Sequence, residues 1–197
     1  MLKQHIILIV LWILFAFFHS IFAWAKLKAQ MQRLMKNYYS YYRIIYSGFA
    51  LITLVLVLIY NFTLESITLW NVLLFELIFS ITGITIGAFT IMIFAKKFFF
   101  QLSGAHIFLQ EEEPQMLIEN SFYKHVRHPL YTATLLLTWS IFFLQPQLNN
   151  LISCLSITIY TLIGIGFEEK KLVREFGDAY IQYRNKTPML IPKFFNN

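Results

Sequence analysis

The stretch from His5 to about Ala25, "HIILIVLWILFAFFHSIFAWA", contains no Asp, Glu, Lys or Arg. As a helix rising 1.5 Å per residue, it is long enough to cross the roughly 30 Å hydrocarbon core of a bilayer. Inside that core each backbone N–H and C=O needs a partner within the protein, which strongly limits what such a segment can form. It is too long for the core of a secretory signal, so it is expected to persist as a helix. Similar runs follow at about Tyr42–Tyr60 and Val72–Ala95, with shorter ones at Leu130–Leu144 and Leu151–Phe167. Apolar residues make up 58% of the chain and charged residues only 13%, against about 25% charged in soluble domains. The expected fold is therefore an all-α integral membrane protein with about five transmembrane helices in one domain. Residues 1–95 supply a three-helix N-terminal half. The single cysteine, Cys154, excludes an internal disulfide and a CxxC metal site, and no metal site is expected.

Charge orients the helices. Lys26, Lys28, Arg33, Lys36 and Arg43 lie between the first two runs, Lys96, Lys97, Lys124 and Arg127 between the third and fourth, and further Lys and Arg after Phe167. The intervening segments "NFTLESITLW" and "QPQLNN" have none. The positive-inside rule then places the N-terminus outside and the C-terminus in the cytoplasm. The net charge of +6 is explained by this bias and gives no reason to expect a nucleic-acid partner. "QPQLNN" is expected to close a tight helical hairpin.

Two clusters flank that hairpin. "YKHVRHPLY" places Lys124, His125, Arg127 and His128 against a helix start marked by Pro129. Free N–H groups and the positive dipole end there suit a carboxylate or phosphate. The same residues would also serve as a topological anchor with an aromatic belt of Tyr123 and Tyr131. After the hairpin, Glu168 and Glu169 stand where negative charge is disfavoured both by lipid and by a helix C-terminus. They are either solvated beside Lys170 and Lys171 or paired with a cation. Beyond them, Leu172, Val173, Phe176, Tyr180 and Tyr183 recur at helical spacing, interrupted by Gly177, which predicts an amphipathic helix that closes over the site. A ligand carrying both a carboxylate and cationic or hydroxyl groups would fit between the clusters. S-adenosyl-L-methionine has these groups, which makes residues 96–197 the cofactor-binding half.

The run "YKHVRHPLY", a helical hairpin and then "EEKKLVREFGDAYIQYRNKTPMLIP" resembles the C-terminal signature of the membrane methyltransferase superfamily. That superfamily includes isoprenylcysteine carboxyl methyltransferases and phospholipid N-methyltransferases. The resemblance covers Gln115–Pro192 and implies that the C-terminal helices and tail enclose S-adenosylmethionine. It implies a cofactor-lining stretch at Gln115, Met116, Leu117 and Ile118, further contacts from Tyr123, His128, Pro129, Leu130 and Tyr131, and a cofactor-binding glutamate at Glu168. Arg127 and Glu169 join this set from the charge pattern. Isoprenylcysteine enzymes, as the resemblance implies, keep an arginine four residues before that glutamate; here the position is Gly164. "FAFFHSIFAWAK", "YYRIIYSGFA", "FFFQLSGAHIF" and "LIGIGFEEKKLVREFGDAY" are more similar to the methanethiol S-methyltransferase branch.

The expected activity is S-adenosylmethionine-dependent methylation of a small or lipophilic thiol such as methanethiol. The rival reactions are methylation of a prenylcysteine carboxylate or of a lipid amine, and the rival of another class is a non-catalytic membrane accessory protein. A thiol reacts as its thiolate, so a proton acceptor is needed. His19, inside the first run, Arg43 and His128 are the catalytic candidates, with His106 a further candidate base. His19 could equally pack against a helix carbonyl, and Arg43 could be an interfacial anchor. Glu76 and His5 are placed near the membrane boundaries. The expected surroundings are a lipid bilayer, the inner or cytoplasmic membrane, with the cofactor site facing the cytosol. No obligate protein partner is inferred.

Overall fold

The computed structural model describes residues 2–103 and 121–192. In chain order the helices are α1 (Leu2–Ala23), α2 (Ala25–Met35), α3 (Tyr42–Thr63), α4 (Leu74–Ser103), α5 (Pro129–Leu144), α6 (Leu148–Phe176) and α7 (Asp178–Lys186). Among the described residues, β pairing is confined to one isolated bridge, Thr68–Gln147. The helices α1, α3, α6 and the Leu74–Lys96 part of α4 are long and apolar enough to cross a membrane. The five apolar runs thus become four long helices and one short one.

Short α5, 16 residues, is held within the bundle by its neighbours. It packs closely along α4 and also against α6. Two glycines of α4 permit the close approach. A Cβ on Gly87 would stand 3.0 Å from the Ala133 carbonyl oxygen, and one on Gly83 would collide with the Ser140 hydroxyl. Small residues at such contacts let helix backbones meet where lipid gives little hydrophobic drive for association. On the other side, α1 packs on α3 and α6, with Leu8, Trp12, Val57 and Leu64 at the centre.

Near the end of the bundle remote from the charged clusters, a buried polar network joins the same three helices. Asn61 donates to the Asn150 Oδ1 at 2.9 Å and accepts from the Ser153 hydroxyl at 2.8 Å. Trp12 Nε1 donates to Ser153 at 2.8 Å, and Asn149 Nδ2 donates to the Asn61 carbonyl at 2.8 Å. Buried polar groups that lose their partner cost about 1–3 kcal/mol, although hydrogen bonds between membrane helices average nearer 0.6 kcal/mol. Asn61→Leu leaves Asn150 and Ser153 short of a partner at once. It is expected to cost about 1–3 kcal/mol, read as a lowered midpoint of thermal unfolding in detergent.

Several boundaries differ from the sequence expectation. α5 ends at Leu144 and α6 begins at Leu148, so the hairpin turn is Gln145–Gln147 and "NN" lies in the helix, buried. α6 does not stop at Phe167 but continues for more than two turns to Phe176, because "EEKKLVREF" is itself helix-favouring. The segment between the first two spans forms α2, none of whose residues is buried. His5 is buried within the protein, with Nε2 2.9 Å from the Ser66 hydroxyl. Glu76 accepts from the Leu73 N–H at 2.9 Å and so caps the start of α4. Cys154 is buried and its thiol meets the Thr138 carbonyl, in keeping with a small packed hydrophobe.

Candidate active site at the feet of α5 and α6

The chain enters α5 through a short 3-10 turn, Ser121–Lys124, and His128 is the residue that precedes the helix. Pro129 takes the first helical position, where a missing N–H costs nothing. The tail after α7 runs back alongside this entry. Arg127 N donates to the Pro188 carbonyl at 2.9 Å, His128 N to Met189 at 3.2 Å, and the Thr132 hydroxyl to Leu190 at 2.9 Å. Gly177, at φ +56°, makes the sharp turn between α6 and α7 that brings the tail round. The tail, α5 and α6 are thereby tied together at one end of the bundle.

The two charged clusters converge there. Arg127 donates from Nε and Nη2 to Glu169 Oε1 at 2.8 and 2.7 Å, and from Nη1 to the carbonyls of Arg184 and Thr187. His128, buried, has Nε2 3.2 Å from Glu169 Oε1 and Nδ1 3.9 Å from Glu168 Oε2. Arg127 and Glu169 therefore spend their charges largely on each other. Glu168 is different: its side chain is 42% exposed, and it faces phenols. Tyr131, its ring 5.7 Å from that of His128, is an electrostatic neighbour of this carboxylate. Tyr123 lies in the same field, and burial followed by the Glu168 carboxylate holds its phenol above the ordinary tyrosine range. Tyr123 is fixed in turn by the Tyr183 hydroxyl, which donates to its carbonyl at 2.7 Å, and by an edge contact with Phe94.

Tyr180 completes the cluster. Its side chain is fully buried, and burial and then the Glu169 carboxylate push its phenol up to about 12. The hydroxyl thus stays protonated, yet it has no hydrogen-bond partner among the described residues. The sequence offered only helical spacing for this residue. On the far side of Glu169, an open groove of about 690 Å³ runs between α6 and α7 past Lys170, Arg174 and Arg184.

Of the expected site residues, Tyr123, Arg127, His128, Pro129, Leu130, Tyr131, Glu168 and Glu169 come together at this foot. Gln115, Met116, Leu117, Ile118 and His106 lie outside the described residues. His19 and Arg43 belong to a neighbouring region. Tyr46 of α3 sets its hydroxyl 3.2 Å from His19 Nε2, and Tyr160 of α6 packs edge-on to the same imidazole at 5.9 Å. Arg43, exposed at the start of α3, is an electrostatic neighbour of Tyr46 and of Lys28.

The model of the NnrU protein family matches residues 7–192. The chain belongs to the NnrU family. A methanethiol S-methyltransferase of Crocosphaera subtropica is 32% identical to this NnrU-family chain over 190 residues, covering 91% of it and 71% of the relative. One of Pseudomonas deceptionensis is 36% identical over 105 residues, 50% of this chain and 38% of the relative. A protein-S-isoprenylcysteine O-methyltransferase of Schizosaccharomyces pombe is 35% identical over 95 residues, 46% and 39% of the two chains. In the latter two cases the chain thus spans well under half of the relative's length. No solved structure matches.

Proposed function

We propose that this NnrU-family protein is an integral membrane methyltransferase that uses S-adenosylmethionine to S-methylate a small or lipophilic thiol, methanethiol being the leading acceptor. The observation that carries the reading is the convergence of His128, Tyr131 and Glu168 at the joined feet of α5 and α6. The relatives named for methanethiol S-methylation support the acceptor class. The donor set fits the cofactor. Glu168 has acceptor capacity for an ammonium or ribose hydroxyls, and the buried Tyr180 hydroxyl is a donor still lacking an acceptor. Tyr123, His128, Pro129, Leu130, Tyr131 and Glu168 would hold it, while Arg127 and Glu169, paired at 2.7 Å, would tie the foot together around it.

When bound, the cofactor supplies a methyl group on a positively charged sulfur, whose bonding electron pair stays behind as the acceptor sulfur takes the methyl. The protein's own residues do the rest. The tail, bonded to Arg127, His128 and Thr132, covers one side of the foot. Burial of the acceptor and its fixed orientation supply several kcal/mol through proximity. His19, fixed by the Tyr46 hydroxyl, accepts the thiol proton, while Arg43, one turn before Tyr46 on α3, favours the thiolate. His128 orients the carboxylates. The site opens to the cytosol, with the N-terminus on the other side of the inner membrane.

The deciding experiment is a transfer assay with methyl-labelled cofactor, run against thiols, prenylcysteines and phospholipid headgroups. Label in a thioether from methanethiol is expected. Label only in a methyl ester or a lipid amine overturns the acceptor assignment. Failure to bind the cofactor by calorimetry overturns the enzyme reading.

A further inference from the structure

The geometry points to Gly164, walled by Tyr46, Tyr131 and Tyr160, as the residue that makes room for the acceptor and limits its size. This inference rests on the thiol methyltransferase reading and locates the acceptor within it.

Tyr160, Gly164 and Glu168 are spaced four apart on α6, so they form one stripe of that helix. The two ends of the stripe are fixed by contacts. Tyr160 touches α1, through its hydroxyl 3.2 Å from the Ser20 hydroxyl and its ring against His19. Glu168 lies beside the start of α5, with Oε2 3.9 Å from His128 Nδ1. The stripe therefore faces the space between α1 and α5. α3 reaches the same space through Tyr46, whose hydroxyl lies 3.2 Å from Nε2 of the His19 imidazole on which Tyr160 packs edge-on. Midway along the stripe, a Cβ on the partly buried Gly164 would meet nothing within 4 Å. The opening thus lies between the carboxylate end and the His19 end, over about 12 Å of helix.

The chemistry of the walls selects the occupant. Three phenol rings and an imidazole stacked on Phe15 at 5.6 Å offer aromatic faces and edges, which attract both divalent sulfur and a positively charged sulfur. Phenol hydroxyls can donate to a developing thiolate. A bulky acceptor would need space beyond the glycine, so a side chain at this position should discriminate by length. A missing or extra methylene in a fitted pocket is worth about 10–200-fold.

Three readouts test this on the full-length protein in detergent or nanodiscs. In Gly164→Leu, cofactor affinity by calorimetry should stay within about threefold while kcat/KM for methanethiol falls about 100-fold, mainly through KM. Gly164→Ala should lose more on propanethiol than on methanethiol. Unchanged kcat/KM for every thiol in Gly164→Leu overturns the inference. The third readout needs no turnover: Gly164→Cys on a Cys154→Ala background should react with methyl methanethiosulfonate, and much less with a bulky maleimide. An introduced thiol that is inert to the small reagent, or labelled equally by both, overturns the chamber even if the wild-type protein methylates thiols. Size-selective labelling in a protein that binds cofactor but methylates no thiol would keep the chamber and fail the acceptor class instead.

Discussion

Arg127→Met is expected to destabilise the protein by about 3 kcal/mol, the lower end of the cost of stripping one partner from a buried ion pair. The lower end applies because the two side chains retain 10% and 15% exposure. One guanidinium makes four contacts, two to Glu169 and one each to the carbonyls of Arg184 and Thr187. Its loss leaves Glu169 with His128 as its remaining close partner at 3.2 Å and frees the end of α7. Unfolding in detergent should shift to lower temperature, and limited proteolysis should reach the tail beyond Lys186. Arg127→Lys should recover little, because a single ammonium cannot reproduce the planar fork. Arg127→Met combined with Glu169→Leu should regain most of the stability, since it removes the stranded charge. A melting midpoint equal to the wild type's, with the tail still protected, would show that the pair does not hold the foot together.

What the sequence made legible follows from which forces are local. The apolar runs declared themselves because the bilayer demands long stretches of one kind, and α1, α3 and the first part of α4 lie close to where those runs were drawn. Pro129 marked the start of α5 for a similarly local reason. Partnering is not local. Asn149 and Asn150 looked like turn residues, since nothing in "QPQLNN" shows that Asn61 and Ser66 wait to bond them. Glu168 and Glu169 are adjacent in sequence but about 100° apart around the helix, so only the packing of α5 on α6 shows which one meets Arg127. The phenols of Tyr46 and Tyr160 were missed in the same way. Each is unremarkable in its own span, and only His19, an ionisable residue at membrane depth, signalled that something polar gathers there.

That division between neighbouring carboxylates yields the second large effect. Glu168→Gln should weaken S-adenosylmethionine about 10–100-fold, equivalent to about 1.4–2.8 kcal/mol and in the range of a charge-assisted hydrogen bond. Its folding stability should stay within about 0.5 kcal/mol of the wild type, as for a surface substitution, because the side chain is 42% exposed and its ion contact to His128 is a long 3.9 Å. Glu169→Gln should behave the opposite way in stability, since that carboxylate anchors Arg127 at 2.7 Å. Calorimetric titration of cofactor and thermal unfolding, both on each variant, separate the two roles. A ligand that lay on Arg127 and Glu169 instead would give a Glu168→Gln protein with undiminished affinity, and the cofactor would then have to be moved to the groove beside Lys170, Arg174 and Arg184. The exposed carboxylate is the better candidate on physical grounds. A buried charge already satisfied by a guanidinium gains little from a cationic ligand, whereas Glu168 keeps lone pairs that water alone would otherwise fill.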